Sequence, residues 1–395
     1  MDLFWENPSW HLTDKHLMQL NSSPFLRAMP KIDLKPHSLY IIRGPRQIGK
    51  TSFLKEILKN SDPTKAFFFS CDNIGDHKQL NELLLSIKNS RSIIILDEVT
   101  YVKEWARAVK YFMDSGYSGT LIVSGSNSVD LRRGGEQLPG RYGEGRDIVI
   151  LPMNLHEFID CRKKAGWPEI SLKESAEIYF KTGGFPAAVI EGGAAGNSPL
   201  KFISTIWKWL VGDFLKFDKS ERYTREILGQ IAKSLTLGQS LQSIAQKTGL
   251  GSHHTAQSYI ELLEDSFALR TCFQYDPKSD TFHFKKEKKF YFMDPVFYWV
   301  ACFASGIKPS EDASALLAEN TAHEFLFQKI VSTSHQIEIP RFGYTAGKDG
   351  EIDFILSDNS AIEVKWSEYA HNLSKRYLAH PENMRRCWTK NNFLE

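Results

Sequence analysis

No apolar run in this 395-residue chain is long enough to cross a bilayer. The longest, such as Trp299 to Ala304, fall far short of the ~20 residues a transmembrane helix needs. Neither sign of charge dominates: 49 Lys and Arg face 47 Asp and Glu, a formal net charge of +2. No global field therefore favours nucleic acid, and any basic surface has to be local. Cysteines are few, scattered and odd in number (Cys71, Cys161, Cys272, Cys302, Cys387), with no C-x-x-C pair, which argues against a zinc site or a disulfide framework. Inert thiols in a reducing cytoplasm are expected. The start, Met1-Asp-Leu-Phe-Trp-Glu-Asn-Pro8, lacks the basic stretch and apolar core of a signal peptide. Internal repeats and low-complexity tracts are also absent. What is present, 42% hydrophobic and 24% charged residues, suits a globular protein of two or three domains without a membrane partner.

Against that background one motif stands out. Gly44-Pro45-Arg46-Gln47-Ile48-Gly49-Lys50-Thr51 fits G-x-x-x-x-G-K-[ST], with an apolar run, Ser38 to Arg43, before it and a helix-competent run, Ser52 to Lys59, after it. A phosphate-cradling loop has meaning only between a strand and a helix. Gly44 and Gly49 let backbone N–H groups converge on an anion, and the helix N-terminus adds positive potential. Lys50 is expected to reach the β- and γ-phosphates and Thr51 to ligate Mg²⁺, with Ser52 completing the loop. ATP and Mg²⁺ are the expected cofactors.

Four further runs read as strands: Ala66–Ser70, Ser92–Glu98, Gly119–Asn127 and Asp147–Leu151. Four large apolar residues before Asp97 and Glu98 mark a buried parallel strand whose carboxyl end faces the ligand side. Asp97 is placed for the Mg²⁺ shell and Glu98 to polarise the attacking water. The strand-and-helix unit between the loop and this acid pair suggests an extra strand between the two in the sheet, a trait of the catalytic-glutamate branch of P-loop proteins. Ser124, Ser126 and Asn127 suit a γ-phosphate sensor and equally a turn or helix cap. Arg141 suits stabilisation of phosphate charge, in cis or from a neighbouring subunit, with a surface ion pair as the favoured alternative.

The ordered series GPRQIGKTS, IIILDEV with Trp105 downstream, VSGSNS, LPGR, LPMNLHEF and Gly183-Gly184-Phe185-Pro186 resembles the prokaryotic AAA-type ATPases that carry a C-terminal DUF4143 region. The departure is Val99-Thr100-Tyr101, where that family commonly has Ile-Gln. The resemblance implies an α/β P-loop three-layer sandwich over residues 1–151 and a helical lid over residues 152–235. Gly183, Gly184 and Pro186 read as a tight turn between helices of that second segment, anchored by Phe158, Tyr179, Phe180, Trp207, Trp209 and Leu210.

Residues 236–300 have the layout of a winged helix-turn-helix: Leu241–Gly249, a second helix capped by Ser252 and running to about Glu264, then strands at Ala268–Phe273 and Thr281–Lys285 across the turn Asp276–Asp280. The second helix offers His253, His254, Glu261, Glu264 and Asp265, and none of the Arg and Lys that DNA contacts need. The cluster Lys285-Lys-Glu-Lys-Lys289 suits phosphate contact or a solvated turn. DNA and a protein are both candidate partners.

In residues 301–395 a helix, Ala313–Val331, carries Glu319 and Glu324. Strands at Gly350–Leu356 and Ser360–Trp366 follow. Period-two alternation puts Glu351 with Asp353 on one face and Glu363 with Lys365 on one face. The set resembles the D…E-x-K core of PD-(D/E)xK nucleases, an α/β restriction-endonuclease-like domain. Asp353, Glu363 and Glu319 would hold a divalent metal, and Lys365 would orient water. A charged hairpin face is the alternative. Three functions are compatible with the whole: an ATP-hydrolysing protein coupling nucleotide state to this C-terminal region, an ATP-regulated metal-dependent DNA nuclease, and a nucleotide-gated scaffold for a protein partner.

Overall fold

The computed structural model describes residues 4–276, 278–334 and 342–395. Met1–Leu3 and Pro277, within the turn expected at Asp276–Asp280, lie outside them. The chain divides into two compact units, Met1–Leu151 and Pro152–Glu395. No helix among the described residues is long and apolar enough to cross a membrane.

The first unit runs α1 (Lys15–Ser22), β1 (Ser38–Arg43), α2 (Lys50–Lys59), β2 (Ala66–Ser70), α3 (His77–Ile87), β3 (Ile93–Asp97), α4 (Trp105–Asp114), β4 (Thr120–Ser124), α5 (Ser128–Gly135) and β5 (Asp147–Val149). All five strands pair in parallel, in the order β2-β3-β4-β1-β5. Leu39 to Ile42, Ile94 to Leu96 and Leu121 to Val123 are buried, as expected of strands covered on both faces. A strand does separate β1 from β3, but it is not the one that intervenes in the sequence. β4 takes the central place and β2 goes to the edge. Caps set the helix starts: Asp14 accepts from His16 and Leu17 N–H at α1, and Asp76 from Lys78 and Gln79 N–H at α3. At the β2 edge, the Trp5 indole and the Arg91 guanidinium both donate to the Ala66 carbonyl, at 3.2 Å each. Phe4 and Trp5 lie edge-on against Phe68 and Phe67.

The second unit begins with helices α6 (Leu155–Lys164), α7 (Leu172–Thr182), α8 (Pro186–Gly192), α9 (Leu200–Leu215), α10 (Glu221–Lys233), α11 (Leu241–Lys247) and α12 (His253–Asp265). Then follow β6 (Leu269–Phe273), β7 (Tyr275–Asp276), β8 (Thr281–Phe282), β9 (Lys288–Phe292), α13 (Val296–Ser305), α14 (Ala313–Ser334), β10 (Phe342–Gly347), β11 (Gly350–Leu356), β12 (Ala361–Val364), α15 (Lys375–Leu378) and β13 (Arg385–Trp388). The three segments expected after residue 151 fall within this one unit. α14 packs on α7 and on β9, and β10 packs on β6.

The turn at Gly183-Gly184 has a specific cause. Gly183 has φ 66°, and a Cβ there would stand 1.9 Å from an Asp294 carboxylate oxygen. Asp294 accepts the Gly184 N–H at 2.7 Å and the Val296 N–H at 2.8 Å, and Pro186 then opens α8. Asp294 is completely buried, and that burial pushes its carboxyl up to about 7.

One strand pairing differs from expectation. β6 pairs antiparallel with β9, Leu269 opposite Phe292 through Phe273 opposite Lys288, whereas Thr281–Phe282 forms only a short ladder with β7. The apolar run Phe290–Met293 can fill a core, and the more polar Thr281–Lys285 run cannot. The lysine cluster therefore does not lie beyond the hairpin. Lys288 and Lys289 are in its return strand, and Lys289 is 1% exposed. The four-stranded sheet β10-β11-β12-β13 is antiparallel except for its last pair, β12 with β13.

Candidate functional site

The loop between β1 and α2 is held in an anion-cradle shape by backbone conformations that only certain residues adopt. Gly44 has φ 150°, and a Cβ there would approach the Ile150 carbonyl oxygen to 2.2 Å. Ile48 is buried and anchors the loop's far side, while Gln47 is exposed at its apex. Lys50 is 8% exposed and donates to the Gly44 and Pro45 carbonyls at 2.9 Å each. Its ammonium thus lies over the loop's own backbone, within the concavity a phosphate would fill. Thr51 and Ser52 open α2 directly behind it.

The acid pair sits where β3 ends. Asp97 is buried and clasped from three sides: the Thr51 hydroxyl donates to it at 2.7 Å, the Glu98 N–H at 3.1 Å, and the Ser124 hydroxyl from the neighbouring β4. β4's central position is what puts Ser124 there. Thr51 and Asp97 form an all-oxygen pair at the loop's mouth, a donor set suited to Mg²⁺. Glu98 lies in the left-handed region (φ 56°), and its carboxylate accepts the Ser126 N–H at 2.9 Å. Ser126 therefore meets Glu98 through its backbone. Asn127 caps α5, its side-chain oxygen accepting from Val129 and Asp130 N–H, while its buried amide nitrogen has no hydrogen-bond partner. Cys71, next after β2, has its thiol pushed up by burial and then by the Asp97 charge, which keeps it inert.

Arg141 is not at its own chain's phosphate loop. Its guanidinium grips Asp114, at the end of α4, through two contacts of 3.0 and 3.1 Å. The next residue, Tyr142, accepts from Leu39 N–H near the start of β1, whereas the loop leaves the other end of that strand, about 13 Å away. The Arg141–Asp114 contact is the surface ion pair of the alternative reading. Because the pair is solvent-exposed, Arg141→Ala is expected to leave stability nearly unchanged. It should leave ATP turnover in dilute protein unchanged. Turnover per chain that rises with protein concentration in the wild type but not in the variant would reveal a role in a neighbouring subunit instead.

The second-unit carboxylates converge differently from expectation. Asp353 on β11 and Glu363 on β12 are buried, and each binds the other strand's backbone. Glu363 accepts the Asp353 N–H at 3.1 Å, and Asp353 accepts the Val364 N–H at 2.9 Å. Lys365 lies 3.6 Å from Glu363. Glu319, from α14, is turned to Lys289 at 3.0 Å and to the Tyr291 hydroxyl at 2.6 Å. Burial first, and then the Asp353 charge, raises the Glu363 carboxyl; burial also raises that of Glu319, against the pull of Lys289. Lys289 is the member of this cluster that the sequence alone does not place, because a five-residue charged run reads as a solvated turn.

Residues 36–159 match a family model described as an AAA domain, and residues 173–309 match a domain of unknown function, DUF8612, where the resemblance implied DUF4143. An uncharacterized protein of Methanocaldococcus jannaschii is 31% identical over 172 residues, 40% of this chain and 37% of that protein. An uncharacterized protein of Haemophilus influenzae is 25% identical over 235 residues, 55% of this chain and 54% of that protein. The chain thus spans between about a third and about half the length of these curated relatives. Among solved structures, the Walker-type ATPase PABY2304 of Pyrococcus abyssi aligns with a TM-score of 0.44 and 14% identity, covering 75% of this chain and 95% of that one. The loop, the parallel sheet and the family match over residues 36–159 all support an AAA-type P-loop domain in the first unit.

Proposed function

We propose that this protein binds MgATP in the first unit and hydrolyses it, and that nucleotide state governs the second unit. The observation that carries the reading is Asp97, held between the Thr51 and Ser124 hydroxyls at the mouth of the loop, with Glu98 directly after it. Lys50 exchanges its loop carbonyls for the β- and γ-phosphates. Thr51 and Asp97 hold Mg²⁺, which neutralises phosphate charge when bound. The unpartnered Asn127 amide supplies a donor for the γ-phosphate or the attacking water. Lys50→Ala is expected to abolish binding of a fluorescent ATP analogue and all phosphate release. Retained binding at wild-type affinity would remove Lys50 from the site.

For the second unit we favour a winged-helix module joined to a nuclease-like fold, both used for binding rather than cutting. The order α14, β10, β11, β12, α15, β13, with Asp353 on the second strand and Glu363-x-Lys365 on and just after the third, supports the nuclease-like half. A protein partner suits the α12 face better than DNA: its exposed residues are His253, His254, Gln257 and Glu261. The hairpin is also engaged by β10, with Gln274 bridged to Tyr344. Salt-dependent binding of duplex DNA that His253→Ala/His254→Ala removes would reverse this choice.

A further inference from the structure

The geometry points to Lys289 as a cation built into the chain that fills the second-unit carboxylate cluster in place of a divalent metal. This rests on the nuclease-like reading of that segment only in naming the ion that is displaced. Lys289 comes from β9, the return strand of the hairpin after α12, and is 1% exposed. Its ammonium stands 2.5 Å from Glu351, 3.0 Å from Glu319 and 3.8 Å from Asp353. Those acids come from α14 and β11, far along the chain.

A divalent ion does not fit beside it. Such ions need several oxygen lone pairs free at 2.0–2.6 Å. One oxygen of Asp353 and one of Glu363 already accept backbone N–H groups from the facing strand. The near oxygen of Glu319 takes both Lys289 and the Tyr291 hydroxyl. Among the described residues no group of three or more His, Cys, Asp or Glu side chains is arranged to hold a metal. An ammonium and a divalent cation within a few ångströms of each other would also repel strongly in a buried setting.

Charge accounting agrees. Four carboxylates (Glu319, Glu351, Asp353, Glu363) face two ammoniums, Lys289 and Lys365. Burial holds Glu319 and Glu363 toward their protonated forms, which supplies the remaining neutralisation. Burial opposes the Lys289 charge, but Glu319, Asp353 and Glu351 outweigh it and raise its pKa, so the lysine stays cationic. The result is a cluster that ties the hairpin to the four-stranded sheet and needs no metal.

Mn²⁺ bound to the full chain without nucleotide, counted by electron paramagnetic resonance, tests this in wild type, Asp353→Asn, Lys289→Met and Lys289→Met/Asp353→Asn. The wild type and Asp353→Asn are expected to bind the same number of ions, so that none is held by the cluster. Lys289→Met should gain one ion per chain, and the double variant should lose it. An ion in the wild type that Asp353→Asn removes would overturn the inference, as would a folded Lys289→Met that gains none. Should Lys289→Met fail to fold, the wild type and Asp353→Asn pair decides alone. Mn²⁺-dependent plasmid cleavage by the wild type, lost in Asp353→Asn, would overturn the inference while upholding the nuclease-like reading.

Discussion

Glu98→Gln is expected to leave MgATP bound and nearly unhydrolysed. The substitution keeps the size and one acceptor oxygen of the side chain, so the contact to Ser126 N–H survives. It removes the negative charge that accepts a proton from the attacking water. A positioned base of this kind contributes about 10²–10⁴ in rate, and turnover should fall by that factor while nucleotide affinity stays within a few-fold of wild type. Asp97→Asn should behave differently. It disturbs the clasp with Thr51 and Ser124 and should weaken the Mg²⁺ dependence of binding as well as turnover. Steady-state phosphate release beside equilibrium binding of the same nucleotide separates the two. A Glu98→Gln protein as fast as wild type would remove Glu98 from the chemistry.

The second large effect belongs to Asp294. Asp294→Ala leaves the Gly184 and Val296 N–H groups buried without an acceptor, at about 1–3 kcal/mol each. The second unit is expected to lose about 2–6 kcal/mol, read by urea unfolding. The same carboxyl makes stability depend on pH. The folded state keeps its proton to about pH 7, whereas the unfolded chain releases it near 3.8. The folded form therefore binds more protons between those values, and stability falls as pH rises through that window, then levels off. Glu324, pushed up by burial and then by the Asp294 charge, acts in the same direction. Thermal unfolding at pH 5 and pH 8 should show the higher Tm at pH 5. Asp294→Asn should flatten the difference, and an unchanged pH slope in that variant would mean that other groups carry it.

Much of the first unit could be read from the chain because its determinants are local. Apolar runs such as Ile93–Leu96 and Leu121–Val123 read as strands, and the motif Gly44–Thr51 carries its own geometry. Sheet order was less accessible. Little in β2 itself states that it belongs at the edge while β4 takes the centre: both are five-residue strands that open with three buried residues, and only Phe69 and Ser70 of β2 are less buried. In the second unit the misplaced features all depend on distant partners. The pairing of β6 depends on which later run can fill a core. Lys289 looks solvated until α14 and β11 supply its acids. The Gly183-Gly184 turn was visible, but its reason, a carboxylate more than a hundred positions onward, was not.

The covering of β2 bears on how this protein behaves when crowded. A parallel sheet that stops at an edge strand offers unpaired backbone to any extended segment that drifts past, including another copy of itself. Here the indole of Trp5 and the guanidinium of Arg91 occupy the Ala66 carbonyl, and the rings of Phe4 and Trp5 lie over the phenylalanines that flank it. A chain shortened to begin at Asp14 would keep the nucleotide loop and the acid pair intact and Arg91 on the Ala66 carbonyl, yet expose Phe67 and Phe68. Its failure would show as insolubility during expression rather than as a change in any reaction rate.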